Sequence, residues 1–262
     1  MMRALWSAAS GMLGQQLNID TIANNLANVN THGFKKNRVE FQDLLYQTIR
    51  PAGVPLNRGT QTAVGLQVGV GTKPVASQKI YAQGEVDSTS NPLDILIEGD
   101  GFFQVQTADG TIAYTRDGSF KKDGDGHIVT SEGFMLQPEI TVPAETTKID
   151  ISAEGKVFAE IPGLIQPDLI GEIELAKFIN PAGLEAKGHN LLSPTAASGE
   201  AILGTPSQEG FGSLQQGFLE ASNVKVVEEM VSMIMSQRAY EANSKSIQAS
   251  DEMLSLANNL RR

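Results

Sequence analysis

NNLANVNTHGFKK, residues 24–36, decides how the rest of the chain is read. Leu26 and Val29 continue an apolar rhythm that begins near the N-terminus, so the stretch closes a helix. Gly33 is a natural stop, although the helix can end a few residues earlier. Yet the stretch carries Asn24, Asn25, Asn28 and Asn30, and asparagine is a poor helix former. Two readings remain open from spacing alone. The asparagines fix register in a buried helix seam, or they are ordinary capping residues at a helix end.

Upstream, Leu5, Met12, Ile19 and Leu26 recur every seven residues, and Ala8, Gln15, Ile22 and Val29 follow each by three. That is an a/d heptad series with one polar break at Gln15. The other end of the chain has the same character. Ser222 or Asn223 is a plausible helix N-cap. Beyond it, Met235, Ala239, Ala242, Ser246, Ala249, Met253, Leu256 and Leu260 alternate at spacings of four and three. A second stripe runs through Val226, Met230, Met233, Tyr240, Ile247 and Leu254. So wide an apolar face asks for more than one neighbour. Pro and Gly are absent from 222 to 262, and a helix of about 38 residues there is roughly 57 Å long at 1.5 Å per residue, too long for a small domain to cover.

The middle is punctuated like a β protein. Asp-Gly stands at 100–101, 109–110, 117–118, 123–124 and 125–126, and this pair is preferred in tight hairpin turns because both residues tolerate positive φ. Short strands are predicted at 95–97, 102–105, 112–115, 127–130, 148–152, 156–158 and 172–179. No helical period runs between 70 and 210. Residues 50–73 are rich in Gly, Pro, Thr and Gln, then alternate at Val64, Leu66, Val68 and Val70; whether this is a hairpin or a loose loop is undecided. The fold class is therefore α+β: N- and C-terminal helices paired as a coiled coil, with a central, mostly-β domain of short strands and hairpins. The boundaries are 1–34 and 220–262 for the helical domain, 35–75 and 196–219 for an extended connector, and 76–195 for the β-rich domain.

Chemistry is sparse. Carboxylates crowd the hairpins at Asp94, Asp100, Asp109, Asp117, Asp123, Asp125 and Glu132, and a glycosidase needs two. Most of them precede Gly, which is what turns require. DGDGH (123–127) lacks the fifth-position Asp or Asn and the sixth-position Gly of a calcium loop. His32, His127 and His189 are scattered, and no cysteine is present, so no metal, cofactor or catalytic set is expected. The net charge of −10 argues against nucleic acid and anionic lipid as partners. Lys35, Lys36 and Arg38 are read as a small solvated patch. The N-terminus has no h-region of signal-peptide length, and no stretch is apolar enough to span a membrane.

SAASGM (7–12), NNLANVNTHGFKK (24–36), GDGFFQV (99–105), YTRDGSF (114–120) and LEASNVKVVEEMVSMIMSQRAYEANSKSIQASDEML (219–254) together resemble the flagellar axial proteins of bacteria, the rod, hook and hook-associated subunits. LYQTIRPAGVPLNRGTQTAVGLQVGVGTKP (45–74) is similar to a rod segment that the longer hook protein lacks. The resemblance implies a non-enzymatic subunit without cofactors that polymerises into a helical tube. Its terminal helices line the inside, with assembly residues Leu5, Met12, Ile19, Ile22, Asn24, Asn25, Leu26, Asn28 and Val29 on one helix and Met230, Met233, Tyr240, Ile247, Met253, Leu254 and Leu256 on the other. A stiffening connector contains Arg50, Pro51, Pro55, Gly59, Leu66 and Val68. The implied partners are further copies, neighbouring rod and hook or hook-junction subunits, ring proteins and peptidoglycan. The implied route is type III export into the periplasm without signal cleavage. Within the family the alternative is a proximal rod or hook-type axial subunit; outside it, a periplasmic glycan hydrolase acting through Asp117 and Asp123, and a coiled-coil adhesin, are the rival readings.

Overall fold

The computed structural model describes residues 2–53, 55–56, 60–61, 63–162 and 166–259. It is α+β. Two helices, α1 (Met2–Ala27) and α2 (Val226–Asn259), bracket a long run of short strands. α1 ends six residues before Gly33. α2 starts at Val226, where the Glu229 N–H donates to the Lys225 carbonyl, so neither Ser222 nor Asn223 is its N-cap. Asn223 is engaged elsewhere: its Oδ1 accepts from the Lys36 N–H at 2.8 Å, and its Nδ2 donates to the carbonyls of Ile80 and Ala82. Local spacing finds a cap; a long-range partner took the side chain instead.

The chain forms two compact units. The first comprises Met1–Ala27, Asn37–Gln78 and Lys225–Arg262. Its strands are β1 (Asn37–Asp43), β2 (Tyr46–Arg50), β3 (Pro55–Leu56), β4 (Thr60–Gln61), β5 (Leu66–Gly69) and β6 (Thr72–Lys79). β1 pairs with β6. β2 runs antiparallel to β5, with Tyr46 opposite Gly69, and β3 pairs with β4 inside it. The connector is therefore a long hairpin and not a loose loop. The small residues of α1 admit it: a Cβ on Gly14 would lie 3.0 Å from the Phe41 ring. Ser10 Oγ accepts from the Thr72 N–H at 3.3 Å beside Gly71, whose φ is +125°.

The second unit is Asn28–Lys36 with Lys79–Val224. Its strands are β7 (Val86–Ser88), β8 (Ile95–Glu98), β9 (Phe102–Gln106), β10 (Ile112–Thr115), β11 (Lys121–Lys122), β12 (Ile128–Val129), β13 (Met135–Gln137), β14 (Lys148–Ile151), β15 (Lys156–Glu160), β16 (Asp168–Glu172), β17 (Leu175–Lys177), β18 (Glu185–Gly188), β19 (Leu191–Ser193), β20 (Ile202–Gly204), β21 (Ser213–Gln216) and β22 (Phe218–Glu220). The strand expected over 172–179 is split between β16 and β17. The central sheet runs β11-β12-β13-β9-β10-β19-β18, with β17 joining β9 to β20. Side chains alternate faces along a strand, and here both faces are covered. Phe103, Val105, Ala113, Leu175 and Leu191 enter one core, and Phe102, Tyr114, Ala176 and Leu192 the other. That is why FFQV is apolar at adjacent positions. Edge-to-face pairs seal each side, Phe103 on Phe120 at 5.0 Å and Tyr114 on Phe178 at 4.9 Å.

The Asp-Gly pairs divide by role. Asp109-Gly110 turns β9 into β10, with Gly110 at φ +75°. Asp125-Gly126 turns β11 into β12. Gly118 is different: it has no positive φ, but a Cβ there would fall on the Ile95 carbonyl oxygen, and the Ile95 N–H donates to the Gly118 carbonyl at 3.0 Å. Gly118→Ala is expected to cost the β unit about 1–3 kcal/mol by overpacking against backbone, read as a lower denaturant midpoint at unchanged m-value.

Three motifs distant in sequence meet at one buried ion cluster in this unit. Glu220 is 3 % exposed. Its Oε1 accepts from Lys35 Nζ at 2.6 Å and from the Gly84 N–H at 2.8 Å, and its Oε2 accepts from Arg116 Nε at 2.6 Å. The rest of the Arg116 guanidinium donates to the carbonyls of Ile97, Gly99 and Gly101, and Lys35 also donates to the Ala82 carbonyl. Lys35 is thus not part of a solvated patch; it is 4 % exposed. Gly33 stands next to it because a Cβ there would lie 2.7 Å from the Asp117 nitrogen, and because its φ is +69°. Burial works against the Glu220 carboxylate, but Arg116 and then Lys35 outweigh it and hold its pKa below the usual glutamate range. Burial lowers Lys35, against the pull of Glu220.

Candidate assembly interface

α1 and α2 pack on each other within the first unit. Their contact face on α2 is polar at every seventh residue. Glu229, Ser236 and Ser250 are buried and Asn243 is half-buried. Met233, Ile247 and Leu254 lie beside them, half-buried. Asn18 Nδ2 donates to Ser236 Oγ at 2.8 Å, and Asn25 Nδ2 donates to Glu229 Oε2 at 3.2 Å. A Cβ on Gly11 would lie 2.8 Å from Asn243 Nδ2. These contacts run antiparallel, Gly11, Asn18 and Asn25 meeting Asn243, Ser236 and Glu229.

The asparagines that opened the question now separate. Asn25 is 1 % exposed. Besides Glu229, its amide takes both backbone groups of Asn37: Nδ2 donates to the Asn37 carbonyl and Oδ1 accepts the Asn37 N–H, each at 2.9 Å. It thereby fastens the end of α1 to the start of β1. Asn28 closes the turn after the helix, its carbonyl accepting the Thr31 N–H and its Oδ1 the Thr31 hydroxyl, both at 3.2 Å. Asn24 is exposed.

The remaining residues singled out in the sequence fall into two groups. Ile22 is buried, and Leu5, Met12, Ile19, Leu26 and Val29 are half-buried. On α2, Met230 and Met253 are about half exposed, Leu256 more so, and Tyr240 somewhat less. They are joined there by Val227, Val231, Ile234 and Met235. α1 adds Trp6, Leu13 and Leu17. The apolar stripes therefore do not all face inward, and each helix leaves an apolar surface uncovered. On the connector, Arg50, Pro51 and Leu66 are exposed and Val68 is half-buried; Pro55 pairs in the backbone with Gln61, and Gly59 and Leu260 lie outside the described residues. Gly11, Asn18, Glu229, Ser236 and Asn243 escaped an apolar count. Their common seven-residue spacing was the available signal.

The two carboxylates of the hydrolase reading, Asp117 and Asp123, serve the backbone. Asp117 Oδ1 accepts the Ser119 N–H, and Asp123 Oδ1 accepts those of Asp125 and His127. Among the described residues no cluster of His, Cys, Asp and Glu could hold a metal, and no helix is long and apolar enough to cross a membrane. Contiguous exposed apolar surface marks sites of protein association.

This architecture is that of a protein whose candidate site is a surface for other chains. The model for flagella basal body rod proteins matches residues 5–35, the flagellar hook protein FlgE/F/G D1 domain matches 96–159, and the C-terminal model of flagellar basal body rod FlgEFG proteins matches 215–260. The chain is 56% identical to the flagellar basal-body rod protein FlgG of Borreliella burgdorferi over 100% of both chains. It is 48% identical to that of Caulobacter vibrioides, over 99% of this chain and 100% of the other. It is 30% identical to the flagellar hook-basal body complex protein FlhP of Bacillus subtilis over 100% of both. The chain belongs to the FlgG family of flagellar basal-body rod proteins.

Proposed function

We propose that this chain is the structural subunit of the flagellar distal rod, self-assembling into a rigid tube that carries motor torque to the hook. The observation that carries this reading is the uncovered apolar surface of the terminal helices, above all Val227, Met230, Ile234, Met235, Met253 and Leu256 on α2. No single domain of this size has reason to expose it, whereas a polymer covers it with further copies. In this reading α1 and α2 pair as a coiled coil and line the tube. The connector regions, 35–75 and 196–219, brace adjacent subunits, with Arg50, Pro51, Pro55, Gly59, Leu66 and Val68 stiffening the wall, while residues 76–195 face the ring proteins and peptidoglycan. The subunit has no catalytic role. It travels unfolded through the type III export apparatus and joins proximal rod subunits on one side and hook or hook-junction subunits on the other.

The test is polymerisation. The purified chain, concentrated and examined by electron microscopy and light scattering, is expected to elongate into straight tubes above a critical concentration. A closed oligomer of fixed size at every concentration overturns the reading and favours an adhesin-like coiled coil.

A further inference from the structure

We infer that the polar contacts between α1 and α2 set the axial register of the helix pair, and that Gly11 and Asn243 are its most selective element. This rests on the rod-subunit reading, in which the two helices pair as the assembling surface. The apolar residues beside the seam fall on seven-residue series, Ala8 and Ile22 on α1 with Gln15 between them, and Met233, Ile247 and Leu254 on α2 with the exposed Tyr240 as the break. Apolar contact is non-directional. A slip of one heptad would lay this series on itself again at little cost, displaced by about 10 Å at 1.5 Å per residue. The polar series does not forgive the slip.

In the observed register Asn18 meets Ser236, Asn25 meets Glu229, and Asn243 meets the one residue of the α1 series without a side chain. A slip puts Asn243 against Asn18 or Ala4, where a side chain already fills the space that Gly11 leaves open. It also takes the buried Glu229 away from Asn25. Asn25 itself does not move with the slip, because it is tied to both backbone groups of Asn37. Polar positions in a helix seam are known to select register in this way. The consequence lies outside the pair. A slip would shift Met230, Ile234, Met253 and Leu256 by about two helical turns relative to Trp6, Leu13 and Leu17, and neighbouring copies would meet a different surface.

The chain has no cysteine, so engineered pairs report register cleanly. Continuing the heptads, Ala4 faces Ser250 in the observed register and Ala257 after a slip. Disulfide formation is measured in the full chain under polymerising conditions, in the double variants Ala4→Cys/Ser250→Cys and Ala4→Cys/Ala257→Cys; a disulfide needs Cα atoms within roughly 7 Å. The first pair is expected to close at least about tenfold faster than the second, a factor equal to one ordinary net hydrogen bond. Adding Asn18→Leu with Ser236→Leu is expected to raise the second pair's rate. Gly11→Ala is expected to lower the first pair's, with rescue by Asn243→Ala. Equal closure in the unmodified background, or a preference untouched by all these changes, overturns the register inference and leaves pairing intact. Closure of neither pair overturns the pairing itself, and the register with it.

Discussion

Glu220→Ala is expected to destabilise the β unit by about 3–5 kcal/mol, because it leaves Lys35 and Arg116 buried without their shared counter-charge. Exposed ion pairs in this chain, such as Arg38 with Glu40 at 3.2 Å, contribute at most about 1 kcal/mol. The difference is burial: the Lys35, Arg116 and Glu220 side chains are 4%, 8% and 2% exposed. Glu220→Gln keeps the shape and removes the charge, so a loss nearly as large identifies the cause as charge. Arg116→Lys keeps the charge but cannot present a planar fork to the carbonyls of Ile97, Gly99 and Gly101, and is expected to be clearly destabilising too. Near-UV circular dichroism during denaturant unfolding measures all three. A loss below about 1 kcal/mol for Glu220→Ala would show that the cluster is not the clamp described.

The pH dependence follows from the same geometry. The folded pKa of Glu220 lies below its ordinary value of 4.5, so the folded carboxyl binds fewer protons than the unfolded one. Its contribution is present above the ordinary value and disappears as pH falls through the lower folded value. Lys35 is a base whose folded pKa lies below 10.5. Stability therefore rises with pH between its folded pKa and 10.5. Without Glu220 that window widens towards neutrality, since the carboxylate was the influence holding Lys35 up. The Glu220→Gln variant should lose Glu220's share of the acid limb of the stability profile and recover stability as pH is raised. A profile parallel to that of the parent chain would contradict the assignment.

What could be read from sequence tracks the range of the interaction that decides it. Turns at Asp109-Gly110 and Asp125-Gly126 are decided within four residues, and the strands beside them by alternation, so both were legible. The two-sided burial of Phe102 and Phe103 was legible as an apolar run but not as two cores, because the second core is built by Phe178 and Leu184, far along the chain. Lys35 reads as a surface lysine because its partner Glu220 is 185 positions away. Gly33 reads as a helix stop for the same reason: it is held by the Glu220 carbonyl and crowded by Asp117, neither of which is local. On the helices, counting apolar residues found both stripes but could not say which faced the partner helix. The deciding residues there are the polar ones. The pair of hydrogen bonds from Asn25 to Asn37 is not legible, since nothing in NNLANVNTHGFKK says that the chain turns back on itself.

Met253→Asp and Ile234→Asp are each expected to abolish assembly at concentrations where the parent chain polymerises, and to leave the β unit as stable as before. Both side chains are about half exposed in the single chain, 49% and 55%, so a carboxylate there is solvated and costs the monomer little. In the proposed tube the same position is covered by a neighbouring copy. Since each side chain is already half buried, the substitution then forfeits about 0.8–1.5 kcal/mol of further apolar burial and adds roughly 1–3 kcal/mol for the desolvated polar group. A combined loss of about 3 kcal/mol raises the critical concentration about a hundredfold, at 1.4 kcal/mol per factor of ten. The chain supplies its own reporter. Trp6 is the single tryptophan, it is 71% exposed, and it sits with Met2, Leu5 and Ala9 on an open apolar surface of α1. Its emission is expected to move to shorter wavelength as the parent chain assembles and to stay unchanged in either variant. Assembly of both variants at the parent concentration would mean that the open face of α2 is not a subunit contact. Loss of β-unit stability in the same variants would mean instead that the two units do not fold independently.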